Sequence, residues 1–394
     1  MMQKNRTRHN QHISSPFETA GISCSICQSN NTASITTSMT YAMRSDGLLL
    51  NEPLAKVHCF NCGVLLGRNN QPEQAYLRSS GNSEFDLKRH QAVANGIANL
   101  LETSSNQSIL STLCKSDARV LEIGGANFAT ALALKKLKPH LQITSIEPSP
   151  EQVPETNDID IIIDTFSTKH FKHKFDIIFS NNVIEHIADT RAFLKQCREM
   201  IEPSGCLIVC CPAHTPASNE LLFSDHLYHF TPQSLALCCQ AVGLELVAQQ
   251  VAGWDTLTQV YLLRPTTGGQ YQLEEPKPTQ LFQVRRRLLA EWSKQDTLLK
   301  SQLDASRPLL LFGAGEFSQL IRTYLPKTYA KVSAITVDSV LGARQFDKPI
   351  IEFGQLRVTN QQILIGLNPS VRPAVEQKLS AAGFNQSQII VPTV

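Results

Sequence analysis

The stretch Val120-Leu-Glu-Ile-Gly-Gly-Ala-Asn-Phe128 is a short apolar run that ends in two glycines and leads into a helical pattern over Ala129–Leu137. Glycine in such a turn lets the backbone approach a ligand closely, because it has no side chain to clash. Further apolar runs of strand length follow, with helical stretches among them: Ile143–Ile146, Ile159–Ile163, Phe175–Phe179 and Cys206–Cys211. This alternation predicts βαβ units and hence an α/β fold around a parallel sheet.

The acidic residues around this turn indicate the kind of ligand. Glu122 lies just before Gly124 and Gly125, and Glu147 ends the next predicted strand, where a carboxylate can hold both hydroxyls of a ribose. A dinucleotide would place its pyrophosphate at the start of the helix. Glu122 would repel that pyrophosphate but attract the amino group or the sulfonium of S-adenosylmethionine. The sequence therefore favours S-adenosylmethionine over NAD.

Two cysteine pairs, Cys24-Ser-Ile-Cys27 and Cys59-Phe-Asn-Cys62, precede the sheet. Each C-x-x-C turn presents two thiolates, and two such turns complete a tetrahedron around Zn²⁺. Because a closed site leaves no coordination position for substrate, we expect this zinc to be structural. The competing interpretations are a redox pair or unrelated thiols. The other seven of the eleven cysteines lie in apolar patterns and are expected to be buried small hydrophobic residues, which fits a reducing cytoplasm.

Composition excludes several classes of partner. The chain has 36 basic and 34 acidic residues, so it lacks the concentrated basic excess that nucleic-acid binding needs. Its apolar runs are too short to span a membrane, and the first twenty residues lack the apolar centre of a secretory signal. We therefore expect a cytoplasmic protein with a small-molecule substrate, without nucleic acid or membrane. The basic cluster Arg285–Arg287 is predicted to be the solvated face of a helix.

At 394 residues the chain is too long for one ordinary core. Apolar residues at helical spacing predict a linking helix over residues 84–103. Leu309-Leu-Leu-Phe-Gly-Ala-Gly-Glu-Phe-Ser318 starts a second strand–turn–helix, for which we expect a structural role first and a nucleotide-sugar contact second. The predicted organisation is a flexible tail (1–20), a zinc-binding module (21–75), the α/β domain with its linking helix (76–265), a linker and helix (266–305) and a smaller Rossmann-like domain (306–394).

The motifs of the central part resemble those of class I S-adenosylmethionine-dependent methyltransferases. They are Glu122-Ile-Gly, Ile146-Glu-Pro-Ser, Phe175-Asp-Ile-Ile-Phe-Ser-Asn-Asn-Val-Ile-Glu-His-Ile187 and Pro203-Ser-Gly-Cys-Leu-Ile-Val-Cys-Cys-Pro212. The resemblance implies a Rossmann-like methyltransferase sheet. It also implies cofactor contacts from Glu122, Gly124, Gly125, Glu147 and Asn181, with Asp164 or Phe166 near the adenine. For Glu185-His186 two interpretations stay open, a helix start with a satisfied histidine or an active-site role.

The wider arrangement, a four-cysteine module before such a sheet and a glycine-turn domain after it, resembles the zinc-containing sugar C-methyltransferases of deoxysugar biosynthesis. These enzymes act on nucleotide-linked keto sugars, and a base removes a proton from the carbon beside the ketone before methyl transfer. By this resemblance His226 is the base, Asp225 its neighbouring acid and Tyr76 a further catalytic residue. Phe223 stands where family members have a tyrosine, so one hydroxyl of the proton relay is absent.

Other functions remain open at this point. The same cofactor fold could serve O- or N-methylation of another metabolite. A different class is an RNA-modifying protein whose zinc ribbon grips RNA, although residues 21–70 contain only Arg44, Lys56 and Arg68 as basic residues. A cofactor-binding protein without activity is the last alternative, because the glycine loop is irregular. The sequence sets no oligomeric state.

Overall fold

The computed structural model of the protein describes residues 21–69, 84–103, 117–150, 152–215, 217–252, 258–266, 277–340 and 346–394. Three larger sheets organise these residues, and a two-stranded hairpin is added to the first of them in sequence. Among the described residues, no helix is both long enough and apolar enough to cross a membrane.

The N-terminal module consists of five short strands. They are β1 (Thr32–Ile35), β2 (Ala42–Met43), β3 (Leu49–Leu50), β4 (Lys56–Cys59) and β5 (Leu65–Gly67). Strands β1, β4 and β5 pair antiparallel, and β2 pairs with β3 through a tight turn in which Gly47 N donates to Arg44 O. Two of the four paired cysteines lie on or beside β4, so this strand connects the cysteine cluster to the sheet.

Among its described residues, the central part contains four helices and eight strands. The helices are α1 (Glu84–Thr103), α2 (Ala129–Leu137), α3 (Thr190–Met200) and α4 (Pro232–Gln240). The strands are β6 (Arg119–Ile123), β7 (Gln142–Ile146), β8 (Asp160–Ile162), β9 (Phe175–Asn181), β10 (Ile201–Pro212), β11 (Tyr228–His229), β12 (Leu244–Ala252) and β13 (Thr258–Pro265). Helix α1 has the bounds that the sequence pattern predicts.

Seven of these strands form one mixed sheet in the order β12-β13-β10-β9-β6-β7-β8. Strands β6 to β10 run parallel, and β13 is antiparallel to both of its neighbours. Apolar residues of α1 and α2 cover one face of the sheet, and those of α3 and α4 cover the other. The predicted α/β fold is confirmed, and the antiparallel strands β12 and β13 form one edge of its sheet.

The helices that cover the second face begin at side-chain caps. The Asp189 side chain accepts a hydrogen bond from Ala192 N at the start of α3. Thr231 and Ser234 form a reciprocal capping box before α4, with Pro232 in the first turn. Such caps satisfy backbone donors that a helix start leaves without partners. They fix where the chain between β10 and α4 must end, which matters because the candidate active site lies in that connection.

The C-terminal part begins with the long helix α5 (Pro278–Gln302). It continues with β14 (Leu309–Phe312), α6 (Glu316–Tyr324), α7 (Pro326–Tyr329), β15 (Val332–Val337), β16 (Ile350–Glu352), β17 (Gln362–Ile365), α8 (Arg372–Ala381) and β18 (Ile389–Ile390). Its five strands pair in parallel in the order β16-β15-β14-β17-β18. Strand β14, its glycine turn and helix α6 are the second strand–turn–helix that the sequence predicts.

One pairing crosses a predicted domain boundary. Strand β11 follows β10 in the chain, yet it pairs antiparallel with β5 of the N-terminal module. A buried apolar cluster also joins the module, residues Leu221–Phe223, helix α5 and the C-terminal sheet. The N-terminal module therefore shares a sheet and a core with the rest of the chain. The sequence does not predict this, because the paired residues are far apart in the chain.

Two predictions about single side chains have different outcomes. The six described cysteines outside the C-x-x-C pairs are buried free thiols, as expected: Cys197, Cys206, Cys210, Cys211, Cys238 and Cys239. The prediction of a solvated face at Arg285–Arg287 is wrong for Arg285, which is buried and donates from Nη1 to Gly63 O at 2.7 Å. Helix α5 turns this residue toward the N-terminal module, where the carbonyl oxygen of Gly63 accepts its hydrogen bond.

Candidate active site and metal cluster

The glycine turn after β6 is held by two features. Gly124 N donates to Ile146 O at 2.9 Å, which joins the turn to the end of β7. Gly124 has φ of 77°, and a Cβ on it would lie 2.3 Å from Cγ2 of Val183. Only glycine fits a turn that combines left-handed backbone with so close a neighbour. The turn therefore packs directly against the residues that follow β9.

Two carboxylates lie beside this turn. Ser145 Oγ donates to Glu122 Oε2 in the interior, and burial raises the pKa of Glu122 to about 7. Glu147, which follows β7, accepts hydrogen bonds from Ala126 N at 3.0 Å and from Ser149 N at 2.9 Å. Its carboxylate therefore joins the end of β7 to the glycine turn. Carboxylates at a glycine turn disfavour a phosphate and suit a cationic ligand, whose charge favours the ionised form of Glu122.

The other predicted cofactor residues follow the neighbouring strands of the sheet. Asn181 ends β9, and its Oδ1 is buried without a hydrogen-bond partner among the described residues. Asp164 and Phe166 follow β8; the first is exposed, and the second packs edge-on against Phe193. The structure thus brings the predicted residues together at the carboxyl ends of four adjacent strands, which is where ligands bind in open α/β sheets.

The residues Phe223–His229, here called the catalytic segment because they include the predicted base His226, connect to both neighbouring parts of the molecule. Ser224 N donates to Met43 O at 2.8 Å, and Gly67 N donates to Leu227 O at 2.9 Å, both across the boundary with the N-terminal module. On the other side Leu227 N donates to Glu185 O at 2.8 Å. These three backbone hydrogen bonds, together with the pairing of β11 with β5, hold a segment that has little regular structure of its own.

His226 is buried at the centre of the segment, with 3% of its surface exposed. Its ring contacts His186 edge-on, with centroids 4.8 Å apart, and Phe223 in the same way at 5.2 Å. Burial, with the nearby charge of Lys56 and Arg89, holds the pKa of His226 well below 6.5. The imidazole is therefore neutral at neutral pH, and its Nδ1 has no hydrogen-bond partner among the described residues.

The structure does not place the carboxylate of Asp225 beside the ring of His226. Its two carboxylate oxygens accept from Ser45 N and Ser45 Oγ, each at 2.8 Å, and one of them lies 3.4 Å from His186 Nδ1. The carboxylate beside His226 belongs to Glu220, at 3.5 Å from Nδ1. Asp225 lies in a turn, and its hydrogen bonds with Ser45 direct its carboxylate toward the β2–β3 hairpin. Tyr76, the third predicted catalytic residue, lies outside the described residues.

Glu185 and His186 lie in a short 3₁₀ turn against the catalytic segment. Glu185 is fully buried, both of its carboxylate oxygens lack partners among the described residues, and burial raises its pKa to about 8. Ligand atoms of Glu185, His186 and His226 lie within 4.8 Å of one another, so these three could hold a metal ion. Of the two interpretations left open by the sequence, the position against His226 favours an active-site role.

The turn after β9 connects the two halves of this site. Val183 contacts Gly124 of the cofactor turn, and His186, three residues further, contacts His226. Asn182 between β9 and this turn has positive φ, and its backbone N donates to Cys210 O. A few residues therefore separate the predicted cofactor position from the buried imidazole.

The four cysteines of the C-x-x-C pairs lie in one cluster. Sγ of Cys24 is 3.8 Å from Sγ of Cys62, and Sγ of Cys27 is 3.5 Å from Sγ of Cys59. All four sulfur atoms lie within 4.8 Å of one another. Tetrahedral zinc with Zn–S bonds of about 2.3 Å requires sulfur atoms roughly 3.8 Å apart. The arrangement fits a tetrahedral metal ion without rearrangement of the backbone.

Three residues that sequence reasoning missed approach the site from outside the motifs. Lys56 is buried in β4 and contacts the catalytic segment, Ser45 binds Asp225, and Glu220 lies beside His226. A lysine within a strand or a serine in a hairpin turn is common on solvated surfaces. The sequence contains no signal that would separate these three from ordinary surface residues.

Comparison with known proteins agrees with the central part of the site. Residues 89–249 match the family described as a methyltransferase domain. The ubiquinone biosynthesis O-methyltransferase of Bradyrhizobium diazoefficiens is 27% identical over 111 residues, 26% of this chain and 43% of that protein. The protein of the same name from Neisseria meningitidis serogroup A is 23% identical over 113 residues, 25% of this chain and 48% of that protein.

Among solved structures, the mitomycin 7-O-methyltransferase aligns with a TM-score of 0.37 and 16% identity, covering 46% of this chain and 54% of that one. The chain spans less than half the length of the two curated relatives. The family match shows that the chain contains a methyltransferase domain, as the sequence motifs predict. The cysteine module and the C-terminal sheet lie outside the matched residues.

Proposed function

We propose that this protein transfers the methyl group of S-adenosylmethionine to a nucleotide-linked keto sugar, at the carbon beside the ketone, with His226 as the general base. The observation that carries the proposal is the neutral, buried imidazole of His226, which is joined through Val183–His186 to the glycine turn of a methyltransferase domain. The sugar is proposed from the sequence resemblance alone.

The cofactor position follows from the acidic glycine turn. In the proposal the backbone of Gly124 and Gly125 approaches S-adenosylmethionine, Glu122 faces its amino group or sulfonium, and Glu147 binds the ribose hydroxyls. The side-chain amide oxygen of Asn181 has no hydrogen-bond partner among the described residues and can accept from the bound amino group. Asp164 or Phe166 lies at the adenine. The positive charge of S-adenosylmethionine would stabilise the ionised carboxylates of Glu122 and Glu147, which are both buried.

The chemistry requires a base because a carbon beside a ketone attacks the methyl group only after losing its proton. In the proposal a ring nitrogen of His226 takes that proton, and the electron pair left on carbon forms the new bond to the methyl carbon. The sulfonium receives the electrons of the broken S–C bond, which gives S-adenosylhomocysteine. Glu185 is protonated at neutral pH because burial raises its pKa to about 8, so it can donate to the enolate oxygen that develops.

The four-cysteine cluster completes the proposal as a structural zinc site held by Cys24, Cys27, Cys59 and Cys62. The sulfur distances support Zn²⁺, and four protein ligands leave no open position for chemistry.

The decisive experiment separates proton removal from methyl transfer. Binding of S-adenosylmethionine is measured by calorimetry, and then a panel of nucleotide-linked keto sugars is incubated with S-adenosylhomocysteine in deuterium oxide. We expect deuterium to enter the carbon beside the ketone with the wild-type protein, and exchange to be lost in His226→Ala while cofactor affinity is unchanged. The control is His173→Gln, which alters an exposed histidine.

Failure to bind S-adenosylmethionine would overturn the enzyme proposal. Deuterium exchange that survives in His226→Ala would show that another group is the base. The second candidate is O-methylation, favoured by the curated relatives, which are named O-methyltransferases of ubiquinone biosynthesis. A product whose new methyl carbon is bonded to oxygen, as read by NMR, would replace C-methylation with this candidate.

A further inference from the structure

Lys56 of the N-terminal module is buried against the catalytic segment. It lies on β4, and 1% of its surface is exposed. Its ammonium group contacts Phe223 O at 2.7 Å, His226 O at 3.2 Å and His229 Nε2 at 3.0 Å. An ammonium has three donor hydrogens. All three of its partners are therefore residues of the catalytic segment.

Burial of an ammonium group costs desolvation free energy, so its three contacts need an explanation. Burial lowers the pKa of Lys56 to about 7, against the favourable charge of Asp225. An apolar side chain of similar length would avoid that desolvation, and buried ionic groups often contribute little to stability. The buried ammonium is thus better explained by the geometry it imposes than by the free energy of folding.

The geometry concerns both ends of the segment. The carbonyl oxygens of Phe223 and His226 both accept from the Lys56 ammonium, which fixes the backbone between these two residues. Where Lys56 is protonated, its ammonium can only donate, so His229 then accepts at Nε2 and carries its ring proton on Nδ1. One side chain therefore sets the backbone at the candidate base and the tautomer of the neighbouring histidine.

The residue opposite Lys56 in the sheet supports this interpretation. Gly67 pairs with Lys56 across β4 and β5, and a Cβ on Gly67 would lie 2.5 Å from His226 O. Any other residue there would push the same carbonyl away. At one register position, therefore, the lysine holds the His226 carbonyl and the glycine leaves room for its approach.

We propose that Lys56 is a positioning residue, through which the cysteine-bearing module orients His226 and fixes the tautomer of His229. Its effect on turnover rests on the proposed function of His226. The structural part of the proposal does not, because it concerns ring tautomers and backbone geometry in the protein without substrate.

The test compares Lys56→Met with Lys135→Met in the full-length protein. Lys135 is the matched control, because its Nζ also donates to a backbone carbonyl, Leu141 O at 2.7 Å, away from the catalytic segment. Histidine ring nitrogens are followed by NMR, with zinc content, thermal unfolding and S-adenosylmethionine affinity measured on the same samples. We expect Lys56→Met to change the His229 ring signals from the Nδ1–H pattern and Lys135→Met to leave them unchanged.

Turnover or deuterium exchange at the keto sugar gives the functional arm. A displacement of about 1 Å can cost roughly 10²-fold in rate. We expect Lys56→Met to lose about 10- to 100-fold in kcat, with KM and cofactor affinity within about twofold of wild type. Lys56→Arg keeps the charge but cannot place three donors on the same three acceptors, so we expect it to fold and to recover only part of the rate.

Unchanged His229 signals in a folded Lys56→Met protein would overturn the proposal, as would full kcat in that variant. If Lys56→Met loses zinc or unfolds, Lys56→Arg decides by the same two readouts. Should the wild type turn over no keto sugar, the proposed function fails, while the NMR comparison still tests the role of Lys56.

Discussion

The two glycine turns of this protein have nearly the same backbone and different surroundings. Gly124 and Gly313 both have left-handed φ, 77° and 107°, and each is followed by a helix. Gly124 N donates to Ile146 O at 2.9 Å, and Gly313 N donates to Thr336 O at 2.8 Å. In both sheets the turn is thus tied to the last residues of the neighbouring parallel strand.

The side chains at matching positions differ. Register places Glu147 one residue beyond Ile146 in the first sheet and Val337 one residue beyond Thr336 in the second. The second turn is also occupied by its own helix, because Ser318 Oγ donates to Gly313 O and Gly366 O at 2.7 and 2.9 Å. A glycine turn alone therefore does not make a cofactor site. The acidic side chains beside the turn and the free space in front of it determine whether a cofactor can bind there.

The largest expected effect is from removal of the acid that distinguishes the turns. We predict that Glu147→Ala weakens S-adenosylmethionine binding by roughly 10- to 150-fold, because hydrogen bonds to a charged group contribute about 1.5–3 kcal/mol. Calorimetry measures this, and Val337→Ala at the matching position is the control expected to leave affinity unchanged. Equal affinities in wild type and Glu147→Ala would remove Glu147 from the cofactor site.

A smaller and more even effect is expected from the glycines themselves. Alanine at Gly124 would meet Val183 at 2.3 Å, and alanine at Gly313 would meet Leu367 at 2.7 Å, each with left-handed φ. Left-handed backbone costs about 1–2 kcal/mol for other residues, so we predict that both variants lower the free energy of unfolding by at least that much. Chemical denaturation measures it. Only Gly124→Ala should also weaken S-adenosylmethionine binding, and weaker binding in Gly313→Ala would contradict the comparison.

The smallest effect is the pH dependence of the first turn. Burial raises the pKa of Glu122 from 4.5 to about 7, so its contribution to stability is fully present below pH 4.5 and lost as pH rises through 7. In the cofactor-free protein, unfolding should therefore become easier over this range, while S-adenosylmethionine binding becomes a few-fold tighter as Glu122 ionises.

Glu122→Gln separates this effect from that of the other buried acid. It should flatten the binding profile near pH 7. Glu185→Gln should leave that profile unchanged and alter the stability profile nearer pH 8, since burial raises the pKa of Glu185 to about 8. Parallel thermal unfolding and calorimetry across pH 5–9 measure both profiles. A Glu122→Gln protein with the wild-type binding profile would show that Glu122 does not face the cofactor.

Much of the fold was predictable because its signals are local. The turn at Gly124, the helix over residues 84–103 and the paired cysteines each occupy a few neighbouring residues, and the structure places them as expected. The role of His226 as base stays a prediction, and the structure shows a buried imidazole whose neighbouring acid is not the predicted one. Glu220, not Asp225, lies beside it. Side-chain direction in an irregular segment depends on distant contacts, which spacing does not reveal.

By itself the sequence determined two strand–turn–helix units, four cysteines at metal-binding spacing and acidic residues beside the first glycine turn. Backbone propensity, hydrophobic period and ligand spacing act over a few residues, so they are written in the chain order. Tertiary structure alone decided that Tyr228–His229 pairs with Leu65–Leu66, that Lys56 contacts the catalytic segment and that Arg285 is buried against Gly63. These contacts join residues 162 or more positions apart, and only packing of the whole molecule brings such residues together.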